Sequence, residues 1–186
     1  MQRKTWLLVG AVIFALIVLV VRYEPHPPNF ALVGAFALWA GAYLGRRVAP
    51  LMILGVMLLG DALFGFYAWQ IMAVVYACTL LYVLIGRRVA PSLGSRNWLR
   101  RIGAPFAGVC VGSSIFFVLT NGAVWMFGNM YPKSAAGFAE SLIAGLPFWR
   151  NGFLADMIGT AGFFIASAIL AAILRIRVSR AERALA

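Results

Sequence analysis

Residues 5–22 read TWLLVGAVIFALIVLVVR, and between Thr5 and Arg22 there is neither a charge nor a proline. At ~1.5 Å of rise per residue, such a run crosses most of the ~30 Å hydrocarbon layer as one helix. Arg3 and Lys4 precede it, as they would in a cleaved leader, but Arg22-Tyr23-Glu24-Pro25 follows, which lacks a small-residue cleavage signature. The run is therefore read as a retained membrane helix. Five more apolar runs lie beyond it, at about 30–45, 48–63, 71–86, 102–121 and 152–174. With 63% hydrophobic residues, 11% charged residues and a mean hydropathy of +0.92, the chain has too little polar surface to cover a soluble globule. The expected fold is an all-α membrane protein, 1–186 as a single transmembrane domain with six transmembrane helices. Runs two to four are short for a full crossing, so their ends are expected to open into a water-accessible cavity or to thin the bilayer.

The basic residues orient the bundle. With the N-terminus inside and six crossings, Arg3, Lys4, Arg46, Arg47, Arg87, Arg88, Arg96, Arg100, Arg101, Arg175, Arg177, Arg180 and Arg183 fall on the cytoplasmic side, while Arg22, Lys133 and Arg150 fall outside. That asymmetry predicts an N-in/C-in topology. A net charge of +11 would suggest nucleic acid in a soluble protein; here the arginines sit at helix ends, where the lipid bilayer's anionic headgroups are their partners, and no nucleic acid is expected. Cys78 and Cys110 both lie inside apolar runs, which does not suit a disulfide framework.

The outer connections are unequal. His26-Pro27-Pro28-Asn29 reads as a stiff turn with Asn29 capping helix 2, and 64–70 as a short aromatic link. The segment 122–150 carries Trp125, Phe127, Tyr131, Phe138, Phe148 and Trp149, and is expected to be a long ordered loop acting as a lid. Within it Ser134 is placed to cap a short helix ending at Gly145, before Pro147. Aromatic residues also form interfacial belts, the plainer explanation of that segment.

No phosphate-binding G-x-x-x-x-G-K-[ST] loop exists in the chain, so no ATP site is expected. G-x-S-x-G, H-E-x-x-H and paired-cysteine zinc spacings are absent too. What remains is a polar set assigned to the outer half: His26, Asp61, Asn121, Arg150, Asn151 and Asp156, with Cys78 part-way down helix 4. An ionisable group in a membrane segment is a functional candidate by default, although Asp61 could simply pair with Arg150, and the asparagines could be helix caps. A buried thiol usually packs as a small hydrophobe, and deprotonates when a metal arrives.

Four stretches carry a resemblance: HPPNFALVGAFALWAGAYLG at 26–45, LLGDALFGFY at 58–67, VYACTLLYVLIG at 75–86, and 116–156 from FFVLTNGAVW to NGFLAD. In these the chain resembles the BtuM family, small membrane proteins related to the substrate-binding S components of energy-coupling-factor vitamin transporters. The resemblance implies an S-component-like bundle in the bacterial inner membrane that takes up cobalamin from the periplasmic side. It makes Cys78 the axial ligand of the corrin cobalt, displacing a ligand such as cyanide, and His26 the candidate for the other axial face. Asp61, Tyr82, Phe148 and Arg150 become further substrate contacts, with Tyr82 one turn from Cys78 and in a position to support it. Ala11 and Ala15 match the alanine pair by which S components meet a coupling module, although members of this family are thought able to act alone; packing within the chain is the plainer role of that pair. The alternatives are an S component for another vitamin, served by a separate ATPase, a thiol-dependent membrane enzyme, or a structural membrane subunit.

Overall fold

A computed structural model of the chain describes the backbone of residues 2–184 and the side chains of residues 5–174. The side chains of Arg3, Lys4, Arg175, Arg177, Arg180 and Arg183 lie outside the described residues. Six helices follow one another: α1 (Gln2–Tyr23), α2 (Val33–Tyr43), α3 (Val48–Phe64), α4 (Trp69–Leu93), α5 (Trp98–Phe127) and α6 (Ala135–Ala184). α1, α4, α5 and α6 are each long and apolar enough to cross a membrane, whereas α2 and α3 are shorter apolar helices. The protein is thus an all-helical, multi-pass membrane protein.

Burial follows from sequence pattern helix by helix. α1 turns Ala11, Phe14, Ala15, Val18 and Leu19 inward at spacings of three and four, and leaves Leu8, Val12, Leu16 and Val20 exposed on the opposite side, where acyl chains take the place of water. Ala11 is 0% exposed and Ala15 packs against the same core, so the face bearing this pair is turned toward the chain's own bundle. α2 is apolar all round and accordingly buried all round, from Val33 to Gly41. It is the axis of the molecule. α4 crosses it at glycine: a Cβ on Gly41 would fall on the Val83 carbonyl, and one on Gly86 on the Leu38 carbonyl. Backbone rests on backbone there, the close approach that small residues allow between membrane helices.

Several boundaries differ from expectation, each for a physical reason. α2 has 11 residues and begins at Val33 rather than near 30. Asn29 does not cap it; Asn29 instead takes a left-handed backbone (φ 62°) in the turn, where Phe30 N–H reaches Pro27 O at 3.0 Å. α4 and α5 run past their apolar cores to Leu93 and from Trp98, with Asn97 Oδ1 accepting from the Leu99 and Arg100 amides to cap α5. The segment 122–150 is not a loop. It comprises the last turn or so of α5, a link over 128–134, and the first four turns of α6, which continue unbroken through Pro147. Ser134 does cap this helix, its Oγ accepting from Gly137 N–H at 3.2 Å. Proline is tolerated inside a membrane helix where neighbouring groups satisfy the freed backbone, and on this stretch of α6 the small residues Gly137, Ser141 and Gly145 are buried, Gly137 against the Pro132 carbonyl of the link and Gly145 against Asn121 of α5. Lys133 closes that end by donating to the Trp125 and Gly128 carbonyls.

The reversals of direction sort the charges into two ends. Arg46, Arg47, Arg87, Arg88, Arg96, Arg100 and Arg101 gather where α2 meets α3 and α4 meets α5, the arginine end. Arg22, Lys133 and Arg150 belong to the other.

Candidate functional site

Because α2 stops short, a hollow opens above its N-terminus at the end opposite the arginines. The cavity measures about 670 Å³ and receives residues from all six helices and from the 24–32 segment. That volume lies within the ~300–1,000 Å³ typical of small-molecule sites. Its wall is mostly aromatic and aliphatic, with Phe64, Tyr67, Phe116, Phe117, Phe148 and Trp149 among the rings.

The floor is built by Asp156 from α6. Its Oδ1 accepts from Ala35 N–H at 2.8 Å and its Oδ2 from the Tyr82 hydroxyl at 2.8 Å, and the residue is 6% exposed. Ala35 lies in the first turn of α2, and α2 has no side-chain cap of its own at Leu32. Asp156 therefore caps α2 from 121 residues away, set against the positive end of the helix dipole. Gly34 makes this possible, since a Cβ there would occupy the space of the carboxylate. Ser113 of α5 stands beside the same phenol. Three helices thus meet at one carboxylate.

A second polar group stands nearer the mouth. Asp61 of α3, 2% exposed, takes Arg22 Nη2 at 3.1 Å on Oδ1 and the Tyr76 hydroxyl at 2.7 Å on Oδ2. Arg22 in turn lies over the Phe64 ring, its Cζ 5.7 Å from the centroid. The partner of Asp61 is therefore Arg22 and not Arg150, which is exposed and does not line the cavity. Tyr67, in the α3–α4 link, has its phenol pushed up from the ordinary value by burial first and by the Asp61 carboxylate second, with Arg22 opposing.

The structure brings His26, Asp61, Tyr82 and Phe148 to this one cavity, together with Asn121 and Asp156. His26 Nδ1 donates to the Pro27 carbonyl at 2.8 Å, which leaves Nε2 as the ring nitrogen available to another partner. Asn121 spends its amide on Phe117 O at 2.8 Å, and Asn151, in mid-helix rather than at a start, reaches Pro28 O at 3.1 Å. Cys78 is 3% exposed and stands behind the wall. On α4 the lining stripe is Ile71, Val75, Thr79 and Tyr82, and Cys78 flanks it, three residues from Val75 and four from Tyr82. Cys110 is exposed on α5 away from the cavity, and both cysteines are free. Tyr82 is more than a support for the cysteine: it is part of the floor. Arg22 and Trp149 were outside the polar set drawn from the sequence, yet both line the site. A lone arginine at a helix end reads as a topology signal, which concealed it.

Comparison with known proteins places the chain in a family of unknown function, DUF6580, which matches residues 1–178; the chain belongs to that family. No curated protein and no solved structure matches it.

Proposed function

We propose that this protein captures a corrinoid from the outer side of the bacterial inner membrane and serves its uptake, as an S-component-like binding protein with the arginine end in the cytoplasm. The observation that carries the proposal is the cavity itself, which opens at the end away from the arginines and closes on the Tyr82–Asp156 floor. The tendency of positive charge to stay in the cytoplasm supports a mouth that faces outward. The site's size and aromatic lining suit part of a large macrocycle, whose remainder would protrude past His26 and Phe148 at the mouth.

Cys78 flanks the wall next to Thr79, so sulfur ligation of the corrin cobalt requires the thiol to turn into the cavity beside Thr79 or Tyr82. The exchange is balanced: the thiol gives up its proton, a Co–S bond forms, the Co–CN bond breaks, and the proton leaves with cyanide. His26, with Nε2 free, is the residue for the second axial face. Ala11 faces the chain's own core, which favours action without a coupling module docked on that pair.

One observation favours a second reading, an S component for a smaller solute: the cysteine lies outside the lining. Growth on limiting cyanocobalamin of a bacterium lacking its own corrinoid importer separates the two. Growth restored by the parent protein and lost in Val75→Trp, which narrows the cavity from the α4 wall, with that variant present in the membrane, supports corrinoid uptake. Absence of growth with protein present in the membrane favours the smaller solute.

A further inference from the structure

The chain carries a net charge of +11, yet the side chains that line its cavity include two aspartates and a single arginine. Among the lining residues the charged groups are Arg22 of α1, Asp61 of α3 and Asp156 of α6. Arg22 and Asp61 neutralise each other at 3.1 Å. Among the described residues Asp156 has no cation beside it: its partners are the Ala35 and Gly34 amides and the Tyr82 phenol, all donors. Tyr82 on α4 is in turn neighboured by the Cys78 thiol and by Ser113 on α5, and the one ionisable side chain of α2, Tyr43, lies at the opposite end of that helix from Ala35. The remaining described charges at this end are Glu24, Lys133, Glu140 and Arg150, all exposed and summing to zero.

We infer that the cavity selects a solute bearing a positive charge, with Asp156 as its counter-ion and the surrounding rings as the cation's other contacts. An unpaired carboxylate in a site walled by apolar side chains gains far more from a counter-charge than it would in water. A carboxylate has about four lone-pair positions, and with the Ala35 and Gly34 amides and the Tyr82 hydroxyl as donors it keeps capacity for one more donor from the cavity side. Phe116, Trp149 and Phe153 line the same hollow, aromatic groups of the kind that attract cations. The inference rests on the reading of this cavity as the solute site and extends it: among corrinoids, the preferred form is the cationic one carrying water on cobalt, over the neutral cyano form.

The test is equilibrium dialysis at neutral pH, in detergent micelles, with two matched pairs of probes. Aquacobalamin is compared with cyanocobalamin in the Cys78→Ala protein, where sulfur ligation cannot contribute, and 1-methylnicotinamide with nicotinamide in the parent. A preference for the cation of about tenfold is expected in each pair that binds. The ratio should fall toward one in Asp156→Asn, fall likewise in Asp61→Asn, which leaves the α2 cap intact, and rise in Arg22→Gln. Equal affinity within a pair, a ratio indifferent to all three substitutions, or no binding of either cation overturns the inference. If 1-methylnicotinamide is selected while neither cobalamin binds, the charge rule stands and the corrinoid reading falls.

Discussion

Asp156→Ala removes the acceptor on which three helices converge. Ala35 N–H, in the first turn of α2, loses the side chain that accepts from it, and the Tyr82 hydroxyl loses the carboxylate 2.8 Å away. Loss of a helix cap costs about 0.5–2 kcal/mol. A buried phenol left without an acceptor adds about 1–3 kcal/mol. The substitution should therefore destabilise the protein by roughly 2–5 kcal/mol, a large share of the ~5–15 kcal/mol that holds a typical domain together. Asp156→Asn keeps an oxygen for Ala35 and an amide that can donate to the phenol oxygen, and should cost about 1 kcal/mol. Unfolding of the purified protein in mixed micelles of increasing SDS, followed by helical circular dichroism, measures both. If Asp156→Ala unfolds within about 0.5 kcal/mol of the parent, the range of an ordinary surface change, then the carboxylate does not cap α2 and the floor has been misread.

Further perturbations probe other parts of the bundle. Gly86→Ala would drive a methyl into the Leu38 carbonyl and should cost about 3 kcal/mol or more by forcing α2 and α4 apart, whereas Gly55→Ala, with open space around it, should be neutral or stabilising in the same SDS titration. Arg22→Met leaves the buried Asp61 carboxylate with only Tyr76. Since Arg22 is 19% exposed, the loss should be about 2 kcal/mol, below the ~3–5 kcal/mol of breaking a fully buried pair. Arg150→Ala, by contrast, should change both stability and cyanocobalamin affinity by no more than about 0.5 kcal/mol, because that side chain is exposed and outside the cavity. A larger effect on affinity would return Arg150 to the site.

The number and order of helices were legible because each apolar run is interrupted by arginines, prolines or polar turns at nearly every reversal. Where a run continues through such a signal, reading failed. Pro147 is such a signal in water, yet α6 passes through it, since Gly145 seats this stretch against Asn121 of α5 and Gly137 seats its start against the link, independently of the lost hydrogen bond. Helix 2 was drawn too long because its cap is Asp156, more than a hundred residues away, and a cap supplied from another helix leaves no local trace. Asp61 and Asp156 were recognisable as unusual from their apolar surroundings alone, but their partners were not: Arg22, Tyr76 and Tyr82 reach them across the bundle. Periodicity does place Val75, Thr79 and Tyr82 on one stripe. It cannot decide whether Cys78, at the stripe's flank, faces the hollow or the neighbouring helix, which depends on how α4 is rotated in the bundle.

That rotation is what the visible spectrum of bound cobalamin reports most directly. Cyanocobalamin added to the purified protein should lose its cyanide and take on an altered absorption spectrum, as sulfur replaces cyanide on cobalt. Cys78→Ala should bind the vitamin with the spectrum it has free in solution. Identical spectra for the two proteins, each with cobalamin bound, would contradict sulfur ligation. No retention of cobalamin by either would contradict the corrinoid site itself.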